Sequence, residues 1–243
     1  MFADIHCHML YGVDDGPGTK EKMLSMVDSA YEDGVRVLCL TPHFNHAFYG
    51  DNNDAAYIAF GDLSEYVKEK YPEMSLFIGC EIFYHHGAST LLSEGKCRTL
   101  ASTKYVLVDF LHDEDIYTIK QALNTLMSEG YIPILAHTER YVELHKNKNA
   151  IFDLKNSGVL FQVNAPSILG YNGHKLKKMS IFLLKKRLCD IISTDSHDLK
   201  ERKTCMSECS AFVKRKFGAA TERYLMYESA YYILSKNRKI TEV

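Results

Sequence analysis

Short apolar runs alternate along this chain with stretches of helical periodicity. Val35–Leu40 (VRVLCL), Leu76–Cys80 (LFIGC), Tyr105–Val108, Ile132–Ala136, Val159–Val163 and Asp190–Ser193 read as buried strands, with Ala3–His6 as a short first one. Met23, Met26, Val27, Ala30 and Tyr31 recur at i, i+3, i+4, i+7 and i+8, the apolar stripe of an amphipathic helix that Thr19 would cap and Gly34 would end. Ile116, Ile119, Ala122, Leu123, Leu126 and Met127 repeat the pattern between Asp115 and Gly130. The spacing predicts further helices over Ala55–Tyr71, Ser89–Glu94, Val142–Asn156 and Lys175–Arg187, and from about Glu201 to Lys236. The polar, Asn-rich segment His46–Asp54 reads as a loop. About seven strands therefore alternate with helices. Strands that are apolar throughout must be covered on both faces, which points to a parallel sheet. At 243 residues the expectation is an α/β fold, one closed or nearly closed β/α barrel forming a single domain over 1–243.

Composition narrows the setting. Apolar residues make up 46% of the chain, ample for a core, and the formal charge of −2 offers no basic footprint for nucleic acid. No run approaches the ~18 consecutive apolar residues of a membrane span, and no secretion signal is visible. Seven cysteines, an odd number, then read as reduced thiols, and the expected location is cytoplasmic.

The chemistry gathers at the strand ends, where barrels of this kind place their working groups. His6 and His8 are two apart, so on an extended segment they share a face while Cys7 points away. Asp15 lies in the first loop, His43 follows the second strand, Glu81 the third, Asp109 the fourth and His137 the fifth; Asp195 and His197 follow the last. Nine such side chains are too many for one ion of about four ligands. They imply two or three ions sharing carboxylates, of a kind that imidazole and carboxylate suit: zinc, manganese or iron. Clustered cations suit hydrolysis of a phosphate ester. Arg140, three residues past His137, and Arg202, five past His197, would supply fixed positive charge for the phosphate. A cysteine-based phosphatase would need an arginine six residues after Cys7, where Val13 stands.

These motifs, D-I-H-C-H, V-D-D-G-P, T-P-H, G-C-E-I-F-Y, A-H-T-E-R-Y and S-T-D-S-H, resemble in order the polymerase-and-histidinol-phosphatase (PHP) superfamily. Within it the chain looks most like the manganese-dependent bacterial protein-tyrosine phosphatases of capsule and exopolysaccharide synthesis. The resemblance implies a distorted (β/α)7, TIM-like barrel and three divalent ions, manganese foremost, with iron or zinc as alternatives. It implies that His6, His8, Glu81 and Asp195 hold one ion, that Glu81 bridges to a second held by Asp109 and His137, and that Asp15, His43 and His197 hold the third. Arg140 and Arg202 would bind the substrate phosphate and, with Asp15, form the catalytic set. A metal-activated hydroxide would attack phosphotyrosine, often on the tyrosine-rich tail of a membrane-bound kinase. Asp14 or His43 would be the nearest proton donors, and Tyr11, Phe44, Tyr49 and Tyr84 the aromatics placed to stack on the ring. The choice of Asp15 over Asp14 rests on the D-D-G alignment alone. One departure stands out: Asp109 occupies a position where close relatives carry Glu, shortening the reach by roughly 1.5 Å. The rival readings are a histidinol-phosphate-type small-molecule phosphatase, a PHP-type nuclease and a metal-binding relative without catalysis. No pattern in the chain sets an oligomeric state.

Overall fold

The computed structural model describes residues 1–44, 46–49 and 51–235, apart from the side chains at 46 and 47. Nine strand segments run in chain order: β1 (Phe2–Asp4), β2 (Val35–Leu40), β3 (His43–Phe44), β4 (Ser75–Ile78), β5 (Glu81–Phe83), β6 (Tyr105–Asp109), β7 (Ile132–Leu135), β8 (Leu160–Asn164) and β9 (Ile191–Ser193). All pairings are parallel, in the orders β1-β2-β4 and β3-β5-β6-β7-β8-β9.

The nine segments exceed the seven predicted strands because the ladder resumes past two of them, at β3 beyond Val35–Leu40 and at β5 beyond Leu76–Cys80. Thr41-Pro42 separates β2 from β3, and Pro42 has no N–H for the ladder. Gly79-Cys80 separates β4 from β5; a Cβ at Gly79 would lie 2.8 Å from Leu100 Cδ2 and 3.1 Å from Leu100 Cα. Backbone bonds cross both breaks, from Gly79 N–H to the Leu40 carbonyl (2.9 Å) and from Glu81 N–H to the Pro42 carbonyl (3.1 Å). On the other side, Asp195 N–H donates to the His6 carbonyl and His8 N–H to the Ser196 carbonyl, both at 2.8 Å. These bonds join the end of the first strand to the end of the last, so the sheet curls into a distorted barrel.

Alternation sorts the side chains. Ala3, Ile5, Val37, Cys39, Tyr105, Leu107, Ile134 and Ala136 form the interior cluster, while Leu38, Leu40, Val106, Val108, Leu135 and Val163 pack outward against the helices. The helices at Lys20–Glu32 and Ile116–Ser128 fall where their stripes predict, capped by Thr19 and Asp115. The predicted helix over Val142–Asn156 is two, Val142–Lys146 and Lys148–Asn156; Asn147 turns extended between them and its side chain accepts N–H bonds from Asn149 and Ala150, capping the second. The predicted loop at His46–Asp54 holds a single helical turn, His46–Tyr49, and the following helix begins at Asn53. A short helix at Ala165–Leu169 went unpredicted. The tail comprises Met206–Phe217, Ala219–Arg223, a π-helical turn over Tyr224–Glu228 and Ser229–Ser235. Its Ala230, Ile233 and Leu234 join the interior cluster, so the tail packs against the barrel interior rather than beside it. Lys236, the predicted end of that helix, lies outside the described residues.

Candidate metal and phosphate site

At the end of the barrel where β5, β6 and β9 finish, the apolar interior rows turn polar. Val37 and Cys39 lead on to His43, Phe77 to Glu81, and Tyr105 and Leu107 to Asp109, each at an even spacing that keeps the same face. On β8 the interior row reads Leu160, Gln162, Asn164. His6 and His8 break this rule, since Ala3 and Ile5 set the interior phase. The slip occurs where β1 ends: Asp4 Oδ1 accepts the His6 N–H at 3.2 Å, a local turn that exchanges the faces. Cys7 consequently packs in the outer core, buried, with its thiol donating to the Cys39 carbonyl. Burial pushes that thiol well above its ordinary pKa, so it is no nucleophile. His137 and Asp195 are two of the five described non-glycine residues with positive φ, at 30° and 55°. Such backbone costs of order 1–3 kcal/mol and gathers at functional sites.

Glu81, fully buried, is the hub. Its Oε1 lies 3.3 Å from His6 Nε2 and 3.0 Å from His137 Nε2; its Oε2 lies 3.3 Å from His8 Nε2 and 2.8 Å from His43 Nδ1. His6 Nε2 and His8 Nε2 are 3.2 Å apart and stand 3.5 and 3.6 Å from Asp195 Oδ1. Donors on a tetrahedral ion with bonds of about 2.0–2.1 Å are separated by roughly 3.3–3.4 Å. His6, His8, Glu81 and Asp195 therefore have the spacing of a four-ligand cage. Asp15 Oδ1 lies 3.4 Å from His43 Nε2 and 3.2 Å from His197 Nε2, and these three with His8 form another group of ligand-bearing side chains. Asp109 and His137 form the third, their nearest atoms 3.6 Å apart, together with His112. All nine expected residues are thus brought together. No cysteine joins such a group among the described residues, and the seven thiols are free and buried.

The neighbouring bonds aim these groups. His8 Nδ1–H donates to Asp14 Oδ2 (2.8 Å), and His6 Nδ1–H to Gln162 Oε1 (3.0 Å), so that each Nε2 faces inward. His197 Nδ1–H donates to the Asp195 carbonyl. Gln162 Oε1 also accepts His137 N–H (2.7 Å), while its amide donates to Asn164 Oδ1 (2.8 Å), and Asn164 in turn donates to Asp195 Oδ2 (2.9 Å). The two aspartates of D-D-G differ: Asp14 faces His8 and accepts N–H bonds from His43 and Gly16, whereas Asp15 faces His43 and His197. Gly16 permits the turn, because a Cβ there would sit 2.2 Å from the His8 carbonyl oxygen. Sequence reasoning missed Gln162, Asn164 and His112. For the first two a signal existed, two amides at alternate positions of an otherwise apolar strand.

The charges are unbalanced without a cation. Burial alone would lower the pKa of His6, but the Glu81 and Asp195 carboxylates raise it to about 9; against the same burial penalty, Glu81 raises His43 to about 9. Burial and repulsion from Glu81 push Asp109 up to about 7. Burial and Arg140 lower His137 to about 3, and burial and His8 lower His197 to about 4. Protons thus stand where cations would. Glu81 Oε2, His197 Nε2 and His137 Nδ1 are also buried without a hydrogen bond of acceptable geometry. Orphaned buried donors and acceptors of ligand type, in a set of imidazoles and carboxylates, fit divalent ions.

Both arginines reach this centre. Arg140 Nη2 donates to Asp195 Oδ2 (2.8 Å); Arg202 Nη2 donates to Asp195 Oδ1 (3.0 Å) and its Nη1 to Asp15 Oδ2 (3.3 Å). A cavity of about 570 Å³ opens beside Asp15, His197 and Arg202, walled by Met26, Leu199, Lys22 and Lys200. Of the four loop aromatics, Tyr49 alone stands at the ligands, its ring parallel to His43 with centroids 5.8 Å apart. Phe44 is buried, Tyr11 donates to Asp62, and Tyr84 packs on Phe110.

Comparison with known proteins is decisive at this point. The family described as "Capsular polysaccharide synthesis, CpsB/CapC" matches residues 2–235. The chain belongs to the CpsB/CapC family. It is 30% identical to tyrosine-protein phosphatase YwqE of Bacillus subtilis, over 95% of this chain and 91% of that protein. It is 28% identical to tyrosine-protein phosphatase CpsB of Streptococcus agalactiae, over 96% and 98%. A solved structure described as YwqE from Bacillus subtilis and CpsB from Streptococcus pneumoniae, "unique metal-dependent tyrosine phosphatases", superposes with a TM-score of 0.89 at 29% identity, covering 98% of this chain and 96% of that one. The CpsB/CapC chain thus shares the curled parallel α/β barrel of a metal-dependent hydrolase family.

Proposed function

We propose that this protein is a metal-dependent protein-tyrosine phosphatase of capsular or exopolysaccharide synthesis. On this reading it works in the cytoplasm as a single barrel domain and removes phosphate from tyrosines of a kinase tail. The observation that carries the reading is the convergence of Arg140 and Arg202 on Asp195, itself 3.5 Å from His6 Nε2 in the Glu81-centred ligand groups. Guanidinium forks beside a multi-cation site suit a dianionic phosphoryl group better than a carbonyl substrate.

Three divalent ions, manganese foremost, would be held by His6, His8, Glu81 and Asp195; by Glu81, Asp109 and His137; and by Asp15, His43 and His197. When bound, such ions polarise phosphoryl oxygens and bring the pKa of a bound water towards ~7. The chain's own residues do the rest. Arg140 and Arg202 present their remaining N–H donors to the phosphate and neutralise the charge left over by the ions. Asp14 and Gln162 hold His8 and His6 with Nε2 inward. Tyr49 offers its face to the substrate ring. The leaving phenolate has a pKa of ~10, so it departs without strong acid assistance. Asp14 supplies none: against its burial, His8 holds its carboxyl below the usual range, and it already accepts three N–H bonds.

The test is phosphate release by metal-stripped protein resupplied with manganese, from a phosphotyrosine peptide and from histidinol phosphate in parallel. Release from the peptide, lost in His137→Ala, is the expected result. Release from histidinol phosphate alone would overturn the substrate, and release from neither, with metal bound, would overturn the activity.

A further inference from the structure

We infer that His112 is a further ligand of the second cation position, joining Glu81, Asp109 and His137. The inference rests on the metal-dependent reading above and concerns a residue outside the nine that the motifs supply. One ligand atom each from Asp109, His112 and His137 lies within 4.8 Å of the other two. The His112 ring stands edge-on to His137, with centroids 5.7 Å apart at 90°, and edge-on to Tyr141 at 6.3 Å. Its backbone is fixed, since Val142 N–H donates to the His112 carbonyl at 2.8 Å. Donors around one ion with bonds of about 2.0–2.2 Å lie roughly 3–4.4 Å apart. Small side-chain rotations therefore close the group.

The second position has room for such a donor. Asp109 Oδ1 is occupied, accepting the Phe110 N–H at 2.7 Å and the Tyr141 hydroxyl at 3.0 Å. That leaves Asp109 Oδ2, Glu81 Oε1 and His137 Nε2, three protein donors, with at least one further place on the ion. An imidazole three residues further along the same strand-end loop is placed to take it. It also explains why a histidine stands at an exposed position against His137.

The experiment measures ions, not turnover. Wild type, His112→Phe, and His112→Phe combined with Asp109→Glu are stripped, reloaded with manganese, passed through a desalting column and analysed for metal per chain. The dissociation constant of the weakest ion is measured by chelator competition. Phenylalanine keeps the ring contacts with His137 and Tyr141 but has no nitrogen, and the position is exposed, so the fold is preserved; equal melting temperatures of the metal-free proteins check this. The expected result is that His112→Phe loses one ion per chain, or binds it at least ~10-fold more weakly. Restoration by Asp109→Glu would further support the assignment. Wild-type stoichiometry and affinity in His112→Phe would overturn it while leaving the phosphatase reading intact. Failure of the wild type to take up ions or to release phosphate from a phosphotyrosine peptide would overturn both.

Discussion

The two sides of Glu81 are built differently. Towards His6, His8 and Asp195, every ligand candidate has a partner that fixes it: Gln162 for His6, Asp14 for His8, and Asn164 with both arginines for Asp195. Towards Asp109 and His137 the support is thinner. His137 Nδ1 has no hydrogen bond, and Asp109 spends one oxygen on Tyr141 and Phe110. A ligand whose second nitrogen is tethered loses less freedom when it binds an ion. The first side is thus prepared in advance and the second is not, which predicts one tightly held ion and one weakly held ion within a single cluster.

Glu81→Gln tests that contrast at its largest. One carboxylate faces four imidazoles, so neutralising it should cost cation content on both sides and take phosphate release to background. Metal analysis and a phosphotyrosine assay on the same sample check this. Retention of the first ion with full activity would show that the two sides do not share Glu81. Arg140→Ala comes next. Its guanidinium is mostly buried, with 20% of the side chain exposed, so the loss of phosphate stabilisation should be about 10²–10³-fold in kcat. Arg202, 38% exposed and better screened, should cost about tenfold when replaced by Ala. Steady-state kinetics with one peptide would rank the pair, and the reverse order would place the phosphate nearer Arg202.

Gln162→Leu sharpens the comparison from the supporting side. It frees His6 Nδ1 and removes the acceptor for His137 N–H, leaving the nine ligand candidates in place. Cation affinity should fall about 10–100-fold, with kcat largely restored at saturating manganese. Unchanged affinity would mean that the amide serves packing alone.

How these residues were legible in the sequence varies with their physical origin. His43, Glu81 and Asp109 continue rows of interior residues, so alternation and strand ends suffice to find them. His6 and His8 were found as a spaced pair, although the reason for their phase, the turn made by Asp4, involves a side chain that no periodicity marks. The breaks at Thr41-Pro42 and Gly79-Cys80 were hidden because apolar runs continue up to both. Asn147 was absorbed into one long helix because an N-cap inside a helical pattern looks like any polar position. Gln162 shows as an amide in an apolar strand, but its partner His6 lies 156 residues away, and no local pattern tells which group it holds. The tail's contact with the interior is likewise a tertiary fact: Ala230, Ile233 and Leu234 look in sequence like the stripe of any surface helix.

The smallest effect, and the one most specific to the cluster's charge, is on stability. In the cation-free protein, His6 and His43 titrate near 9 because carboxylates hold their protons in a buried setting. Their unfolded value is ~6.5. A raised histidine stabilises the fold fully below its unfolded pKa and loses that contribution as pH rises through its folded pKa. Cation-free protein should therefore melt at progressively lower temperature between pH 6.5 and 9. The expected effect is a fall of several degrees or more in melting temperature. Asp109, raised to about 7, ionises in the lower part of that window and lowers stability in the same direction. His137 and His197, held low at about 3 and about 4, act only below it, and the lowered carboxylates of Glu81, Asp14, Asp15 and Asp195 are fully ionised throughout it. Saturating manganese should flatten the profile, because an ion replaces the protons and its binding strengthens as they leave. Melting curves at three pH values, with and without manganese, separate the two cases. A slope that persists with manganese bound would place the titrating groups outside the ligand cluster, and with them the proton-for-cation exchange on which the prepared first side depends.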